Sequence, residues 1–171
     1  MNNHSNRIIH YIIAIITVFV SVAFDQWTKY LAILNLKDNE PFPIIENIFE
    51  LRYLENRGAA FGLLQDQRIF FYISMLVITV GVIYFYAKVP MNKRFLPIRL
   101  CSVFILAGGI GNCIDRIRFN YVVDFFYFKL IDFPIFNVAD IYVTVSVFIL
   151  LFLMFFYYKE DELERVFSSR K

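Results

Sequence analysis

The sequence predicts an α-helical polytopic membrane protein with four transmembrane helices and a small strand-containing extracytoplasmic cap. Hydrophobic residues make up 59% of the 171 residues and charged residues only 19%, whereas a soluble domain usually carries about 25% charged residues. Four apolar stretches reach or approach the roughly 20 residues that a helix needs to cross the hydrocarbon core. A further apolar stretch between the first two has the extended character of strands, which predicts the cap.

The apolar stretches predict the membrane helices in chain order. The four predicted helices cover residues 8–24, 69–87, 95–114 and 138–158. The first could be taken for a secretory signal peptide, but it runs into residues 25–29 without a small-residue cleavage site. We therefore expect it to remain as the first helix of a single membrane domain that covers residues 1–171.

The placement of Lys and Arg predicts the orientation of the chain in the membrane. An even number of crossings places both termini on one side, together with the short link 88–99. That link contains four basic residues, Lys88, Lys93, Arg94 and Arg99. The opposite loops, 25–68 and 115–137, spread eight Lys and Arg over far more chain. Because positively charged loops tend to stay in the cytoplasm, we expect cytoplasmic termini and extracytoplasmic loops.

The longer loop contains the stretch that predicts the strands of the cap. Residues 44–56 are apolar and look extended. Residues 56–58 then give a turn signal before residues 59–61. A small strand-containing cap on the outer surface is therefore expected.

Charge and ligand content argue against several function classes. The net charge is +2 and the basic residues are scattered between apolar runs, so we expect no nucleic-acid partner. His4 and His10 lack a third ligand nearby, and we expect no metal and no cofactor. Cys101 and Cys113 lie roughly 18 Å apart along one predicted helix, so we expect no disulfide between them.

The informative residues are polar side chains at the outer edge of the predicted helices. They are Asp25, Lys29, Asn56, Asn112, Asp115, Arg116, Asp124, Asn137 and Asp140. Ionisable groups at the bilayer boundary are costly unless they pair or reach water. Their convergence on one side of the membrane therefore predicts a water-accessible site.

Asp140 and Asp124 stand in contrasting local sequences. Asn137 can cap the fourth helix, and Asp140 completes a capping-box-like arrangement there, so capping alone explains Asp140. Asp124 stands in the apolar and aromatic run 121–127, where an unpartnered carboxylate is costly to desolvate. If the loop after the third helix folds back over the bundle, the two carboxylates approach each other and share a proton. One can then activate water while the other hydrogen-bonds a scissile carbonyl, as an aspartyl protease requires.

Three further features have structural interpretations. The glycines within 108–111 favour close helix packing. Asp115 opposes the dipole of its helix end and needs a donor, while the adjacent Arg116 suits that end. Asp25 precedes Lys29 by four residues, and an exposed helical pair of that kind contributes only about 0.3–0.5 kcal/mol. For this pair we expect a scaffold or substrate-surface role rather than catalysis.

Five blocks in order, within residues 20–145, resemble those of the lipoprotein signal peptidase family, also called signal peptidase II. The blocks are Asp25–Lys29 (DQWTK), Asn56–Phe61 (NRGAAF), Gly108–Arg116 (GGIGNCIDR), Val122–Phe125 (VVDF) and Phe136–Asp140 (FNVAD). The four-helix layout and the short chain resemble that family too. Two departures are minor: Trp27 stands at a variable position, and Ile141 stands where many relatives have a small polar residue.

The resemblance implies a site and a reaction. It implies that Asp124 and Asp140 form the catalytic pair of an aspartic endopeptidase. The residues that it places in or near the site are Asn56, Gly58, Asn112, Arg116 and Asn137. The implied substrates are prolipoproteins in the bacterial inner membrane whose cysteine already carries diacylglycerol, cut just before that cysteine. Membrane lipid and cyclic peptide antibiotics of the globomycin type, as inhibitors, are the further implied partners.

Two other function classes stay open on the residues alone. Acids at the membrane edge also relay protons or bind cations in transporters and channels, although four short helices without obvious inverted repeats argue against that class. A noncatalytic assembly protein would use the acids only to cap helices and to pair with Arg116 or Lys29. Asp124 is the residue that this alternative explains worst. The sequence does not assign base and acid roles between Asp124 and Asp140.

Overall fold

The described part of the chain is helical with one small sheet. The computed structural model describes residues 3–58 and 67–167, so the motif residues Ala59, Ala60 and Phe61 lie outside the described residues. The helices are α1 (Asn3–Leu36), α2 (Arg68–Lys88), α3 (Leu96–Phe119), α4 (Val138–Phe152) and α5 (Glu160–Phe167). The strands are β1 (Phe42–Ile45), β2 (Phe49–Asn56) and β3 (Val122–Tyr127). A π-helical turn, Leu153–Tyr157, continues α4.

Within those ranges, four helices are long and apolar enough to cross a membrane, which confirms the predicted fold class. The spans are Arg7–Leu36, Ile69–Lys88, Leu96–Phe119 and Val138–Tyr157. The first is longer than predicted, because α1 continues to Leu36 instead of ending near residue 24. It continues because Asp25 and Lys29 pair inside the bundle and because Ala32 and Leu36 are buried against the cap.

Helix α3 occupies the centre of the bundle and packs against α1, α2 and α4. Its glycines permit the close packing that the sequence predicts. A Cβ at Gly108 would collide with the carbonyl oxygen of Ala139 and with the side chain of Val143 on α4. A Cβ at Gly109 would lie 2.7 Å from Sδ of Met75 on α2. This close approach places the polar end of α3 beside the first turn of α4.

The cap is an antiparallel sheet with the strand order β1–β2–β3. Strands β1 and β2 form a hairpin where the sequence predicts strands. Strand β3 comes from the other loop and pairs with β2, with Leu54 opposite Asp124 and Asn56 opposite Val122. This strand is not among the sequence-based predictions, although the run 121–127 is rich in Val, Tyr and Phe, which favour strands. The chain turns back at Asn120, which ends α3 in a left-handed conformation with φ 66°.

One face of the sheet rests on the end of α1. Val123 and Phe125 of β3 are buried with Ala32 and Leu36 of α1. Because side chains alternate along a strand, Asp124 points from the opposite face. A slip of one residue would exchange the two faces, so this apolar contact fixes the direction of Asp124.

A second cluster closes the other end of the bundle. Its buried side chains are Val89, Phe95, Ile98, Leu153, Tyr158 and Val166, so α5 is packed onto the link between α2 and α3. Arg94 donates two hydrogen bonds to the Glu162 carboxylate, each 3.0 Å long. Its guanidinium also lies 4.0 Å from the ring centroid of Tyr157. The two ends of the bundle therefore each contain an ion pair.

Candidate active site

Asp124 is carried by β3 and is almost completely buried, at 1% exposed. Both of its oxygens accept hydrogen bonds from amides, Oδ2 from Asn56 Nδ2 at 2.8 Å and Oδ1 from Asn137 Nδ2 at 2.6 Å. Burial, followed by the charge of Asp140, raises the pKa of Asp124 to about 7. A carboxyl group with that pKa exchanges its proton near neutral pH, as general acid–base chemistry requires.

Asp140 occupies the first turn of α4, where it caps the helix and also faces the site. The Asn137 side chain accepts from the Asp140 backbone N–H at 3.0 Å, and Asp140 Oδ2 accepts from the Asn137 backbone N–H at 3.1 Å. The predicted capping box is confirmed. Asp140 Oδ1 accepts a separate hydrogen bond from Asn112 Nδ2 at 2.8 Å. Capping and a place in the site are therefore compatible, because the carboxylate uses one oxygen for each.

Asn137 joins the two carboxylates. Its backbone N–H donates to Asp140 and its side-chain amide donates to Asp124. The same amide donates to Asn112 Oδ1 at 3.1 Å. The fold thus brings Asp124 and Asp140 to one place, held by asparagines from β2, α3 and the cap of α4.

The carboxylate pair faces a cavity of about 400 Å³. Candidate residues that line it are Asn56, Gly58, Asn112, Arg116, Asp124 and Asp140. The other lining residues are mainly apolar: Val122, Phe133, Pro134, Ile135, Phe136, Ile141, Thr144 and Val145. Apolar walls with a few convergent polar groups are typical of a binding site. Among residues 3–58 and 67–167, no group of three or more His, Cys, Asp and Glu side chains is arranged to hold a metal ion.

Arg116 forms one wall of the cavity. Its guanidinium donates to the backbone carbonyls of Gly58 at 3.1 Å and Asn112 at 3.4 Å. The guanidinium also lies 4.2 Å from the ring centroid of Phe71 on α2. Arg116 therefore connects α3 to the end of β2 and to α2, and it places a positive charge near the carboxylate pair.

Asp25, Lys29 and Asp115 form a buried ion cluster next to the site. Lys29 Nζ lies 3.0 Å from Asp25 Oδ2 and 3.1 Å from Asp115 Oδ2. The Lys29 side chain is 3% exposed and that of Asp25 0%, so the small contribution expected of an exposed pair does not apply, and of the two expected roles the burial favours the scaffold. Each partner is needed, because removing one leaves an uncompensated charge in the protein interior.

The two acids of this cluster hold the segments that carry the carboxylate pair. Asp115 Oδ2 accepts from the backbone N–H of Val123 on β3 at 3.1 Å. Asp25 Oδ1 accepts from the backbone N–H of Ala139 on α4 at 3.0 Å. Asp115 thereby obtains the donors that its position at a helix end requires. Neither acid lines the cavity, and each anchors a neighbour of a residue that does.

Gln26 and Gly111 support the ion cluster, a role that is not among the sequence-based predictions. Gln26 Nε2 donates to Asp115 Oδ1 at 2.8 Å and lies 3.2 Å from both Asp25 Oδ2 and the carbonyl oxygen of Gly111. A Cβ at Gly111 would lie 2.5 Å from Asp25 Oδ2, so only glycine admits that carboxylate. The sequence could have indicated this role through chain position alone, because Gln26 directly follows Asp25 and Gly111 directly precedes Asn112.

The chain matches known proteins in sequence and in fold. The family model for Signal peptidase (SPase) II matches residues 16–156. The lipoprotein signal peptidase of Caldanaerobacter subterraneus subsp. tengcongensis is 45% identical over 84% of this chain and 96% of that protein. The lipoprotein signal peptidase of Clostridioides difficile is 41% identical over 83% of this chain and 95% of that protein. A solved bacterial membrane enzyme aligns with a TM-score of 0.76 at 30% identity, over 92% of both chains.

These matches extend across the site as well as the fold. The family match begins before Asp25 and ends after Asp140, so it contains every candidate site residue. The solved enzyme aligns with most of this chain. The chain therefore belongs to the signal peptidase II family of membrane peptidases.

Proposed function

We propose that the chain is an aspartic endopeptidase that removes the signal peptide from diacylglyceryl-modified bacterial prolipoproteins by cutting just before the lipidated cysteine. Asp124 and Asp140 are the catalytic pair of this proposal. The observation that supports it most is their common placement at one cavity, where Asn137 donates to both carboxylates. Two carboxylates held that way share a proton, because both cannot readily ionise at short range.

The pair performs hydrolysis without a covalent intermediate. The ionised carboxylate takes a proton from water while the water oxygen bonds to the scissile carbonyl carbon. The carbonyl π electrons move to oxygen, and the protonated carboxyl donates to the oxyanion that forms. When the tetrahedral intermediate collapses, the C–N bond breaks and the leaving nitrogen receives a proton from the pair. One carboxyl is again protonated and the other ionised at the end of the cycle.

The surroundings of the pair suit a substrate that is anchored by lipid. The cavity lies at the start of α4, and Ile141 and Val145 continue its apolar lining along that membrane-spanning helix. Both side chains are partly exposed, at 38% and 49%. Acyl chains can therefore stay in hydrocarbon while the peptide bond reaches the carboxylates. The same cavity is the proposed site for cyclic peptide antibiotics of the globomycin type.

The proposed location is the bacterial inner membrane, with cytoplasmic termini and the active site outside. The distribution of Lys and Arg supports this orientation, because the basic link between α2 and α3 lies at the end of the bundle away from Asp124. A cysteine introduced at Asp38 should react with an impermeant thiol reagent in intact cells, and one introduced at Lys93 should not. The reverse pattern would show the opposite orientation.

The noncatalytic alternative fits the contacts of Asp124 poorly. In that alternative the acid would pair with Arg116 or Lys29. Asp124 instead accepts hydrogen bonds from the neutral amides of Asn56 and Asn137. Three neighbouring asparagines supply donors without neutralising the pair, which suits a group that must change protonation during a reaction.

The test is cleavage of a diacylglyceryl-modified prolipoprotein by purified protein, followed by gel shift with a chelator present throughout. The variants are Asp124→Asn and Asp140→Asn, with Asp132→Asn as the control because Asp132 is an exposed carboxylate on the same loop. Wild type and the control should cleave, and each pair variant should lose at least about 10³-fold in rate. Unchanged cleavage by a folded pair variant removes that residue from the proposal.

A further inference from the structure

We propose that Lys29 is a positioning residue that fixes the orientation of the Asn112 amide and thereby keeps Asp140 as the ionised member of the pair. The inference rests on the proposed aspartic peptidase function, and it assigns Asp140 as general base and Asp124 as general acid. Lys29 does not line the cavity, and its contacts within the described ranges go to Asp25, Asp115 and Asn112.

The direction of the Asn112 amide follows from what Lys29 can do chemically. An ammonium group only donates hydrogen bonds. Lys29 Nζ lies 2.8 Å from the Asn112 side chain, so the atom that faces it must be the carbonyl oxygen. The NH₂ group of Asn112 must then face Asp140 Oδ1, at 2.8 Å. Asp140 Oδ1 is therefore held as an acceptor.

Backbone N–H groups fix the other two amides in the same manner. The backbone N–H of Asp140 donates to the side-chain oxygen Oδ1 of Asn137. The Asn137 NH₂ group must therefore face Asp124 and Asn112. The backbone N–H of Gly58 donates to the side-chain oxygen Oδ1 of Asn56, so the Asn56 NH₂ group must face Asp124. Each of the three side-chain amides therefore has one orientation. If any of them flipped, its NH₂ group would face another hydrogen-bond donor.

The environment of the two carboxylates then favours the negative charge on Asp140. Asp140 sits at the positive end of the α4 dipole, and its donor Asn112 is polarised by an ammonium group. Asp124 is more deeply buried, and the amides that donate to it are oriented by neutral backbone groups. The shared proton therefore resides on Asp124. Asp140 is left ionised at the cavity, where it can take a proton from water.

The orientation of the Asn112 amide, and not the net charge of the ion cluster, keeps Asp140 ionised. The cluster has one ammonium and two carboxylates, so its formal charge does not favour an anion nearby. Asp124 on β3 and Arg116 on α3 interact electrostatically with Asp140. Lys29 on α1 reaches Asp140 through Asn112, and Asp25 and Asp115 pair with Lys29. A variant that keeps the formal charge of the cluster but lacks the ammonium group separates the two effects.

The experiment compares the pH profile of kcat/KM for wild type, Lys29→Met and the double variant Lys29→Met/Asp115→Asn, which keeps the formal charge of the cluster. A general base must be ionised to take a proton from water, so the acid limb of the profile marks the range in which the base becomes protonated. Weaker stabilisation of the anion should move this acid limb to higher pH, by about half a unit to one unit in both variants. KM should stay unchanged. Lys37→Met, just past the end of the same helix and with a partly exposed partner, should leave the profile as in wild type.

Two outcomes overturn the proposal. One is a folded double variant whose acid limb coincides with that of wild type. The other is an unmoved acid limb in Asn112→Ala. This variant leaves the ion cluster intact and can be measured even if the Lys29 variants do not fold. The acid limb should rise in Asn112→Ala, and adding Lys29→Met should then move it no further, because Lys29 acts through Asn112. An unmoved limb in Asn112→Ala leaves no route from Lys29 to Asp140. Cleavage by Asp124→Asn or Asp140→Asn would instead refute the proposed function itself.

Discussion

The two ends of the bundle both use a basic residue and carboxylates, but they use them in different surroundings. At the cap end, Lys29 and Asp25 are 3% and 0% exposed. At the other end, Arg94 and Glu162 are 38% and 21% exposed. The buried cluster anchors backbone groups of β3 and α4 beside the carboxylate pair. The partly exposed pair joins α5 to the link between α2 and α3, at the end of the bundle opposite the cap.

Burial, and not the number of ion pairs, should therefore decide how much each charged contact contributes to stability. A buried charge that loses its partner cannot be rescued by water, whereas an exposed one is rehydrated. Variants of the cap end should therefore affect both stability and cleavage. Variants of the other end should affect neither strongly.

The largest effect is expected for Asp115→Ala. This change removes the acceptor of Lys29, of Gln26 and of the Val123 N–H together. The free energy of unfolding in detergent should fall by about 3–5 kcal/mol. Asp115→Asn keeps an acceptor oxygen and should lose less. Equal stability of wild type and Asp115→Ala would show that the cluster is not the anchor of β3.

The pH dependence of stability should differ in sign between the two ends. The pKa of Asp124 is raised from 3.8 to about 7, so between those values the folded protein holds a proton that the unfolded chain has released. Stability from this group therefore decreases as pH rises from about 4 to 7. The pKa of Glu162 is lowered from 4.5 to about 2 by its hydrogen bond from Arg94. Stability from Glu162 is present above pH 4.5 and is lost as pH falls towards 2.

Thermal unfolding across pH, compared between variants, separates these two contributions. Asp124→Asn should flatten the decrease between pH 4 and 7, and Asp132→Asn should not. Glu162→Gln should remove the slope between about pH 4.5 and 2 and leave the slope at higher pH unchanged. If Asp124→Asn keeps the wild-type slope, Asp124 does not hold the proton.

A smaller effect is expected for Gly111→Ala. The added Cβ would push against Asp25 Oδ2 and loosen its bond to the Ala139 N–H. Unfolding free energy should fall by about 1–3 kcal/mol, with slower cleavage. Gly81→Ala is the matched control, because nothing lies within 4 Å of a Cβ there. That control should be neutral or slightly stabilising, and a loss equal to that of Gly111→Ala would argue against a specific clash.

The smallest effect is expected for Glu162→Gln at neutral pH. The carboxylate is partly exposed, and Arg94 keeps its contacts with the Tyr157 ring and the Tyr157 carbonyl oxygen. Cleavage should match wild type, and the midpoint of thermal unfolding should fall by less than in Gly111→Ala. A loss of cleavage with retained fold would mean that the two ends are coupled.

Local properties of the sequence predicted much of the fold and part of the site. Apolar length predicted four membrane helices, and the spacing of Asn137 and Asp140 predicted the capping box. Both depend on residues that are close in the chain, so composition and spacing suffice. The candidate residues at the membrane edge were found for the same reason, since a polar side chain in an apolar run is visible without a structure.

Only the tertiary structure decided how those residues meet. Lys29 and Asn112 are 83 positions apart, and Asn56 and Asp124 are 68 apart. The sequence shows Asp25 and Lys29 four positions apart on a helix, but not that α3 covers them. It shows Asp124 in an apolar run, but not that β2 turns the run into a strand. Burial and the direction of a hydrogen bond depend on side chains that pack from elsewhere in the chain. The sequence therefore determined the four membrane helices and the capping box, whereas the assembled fold determined strand β3 and the site.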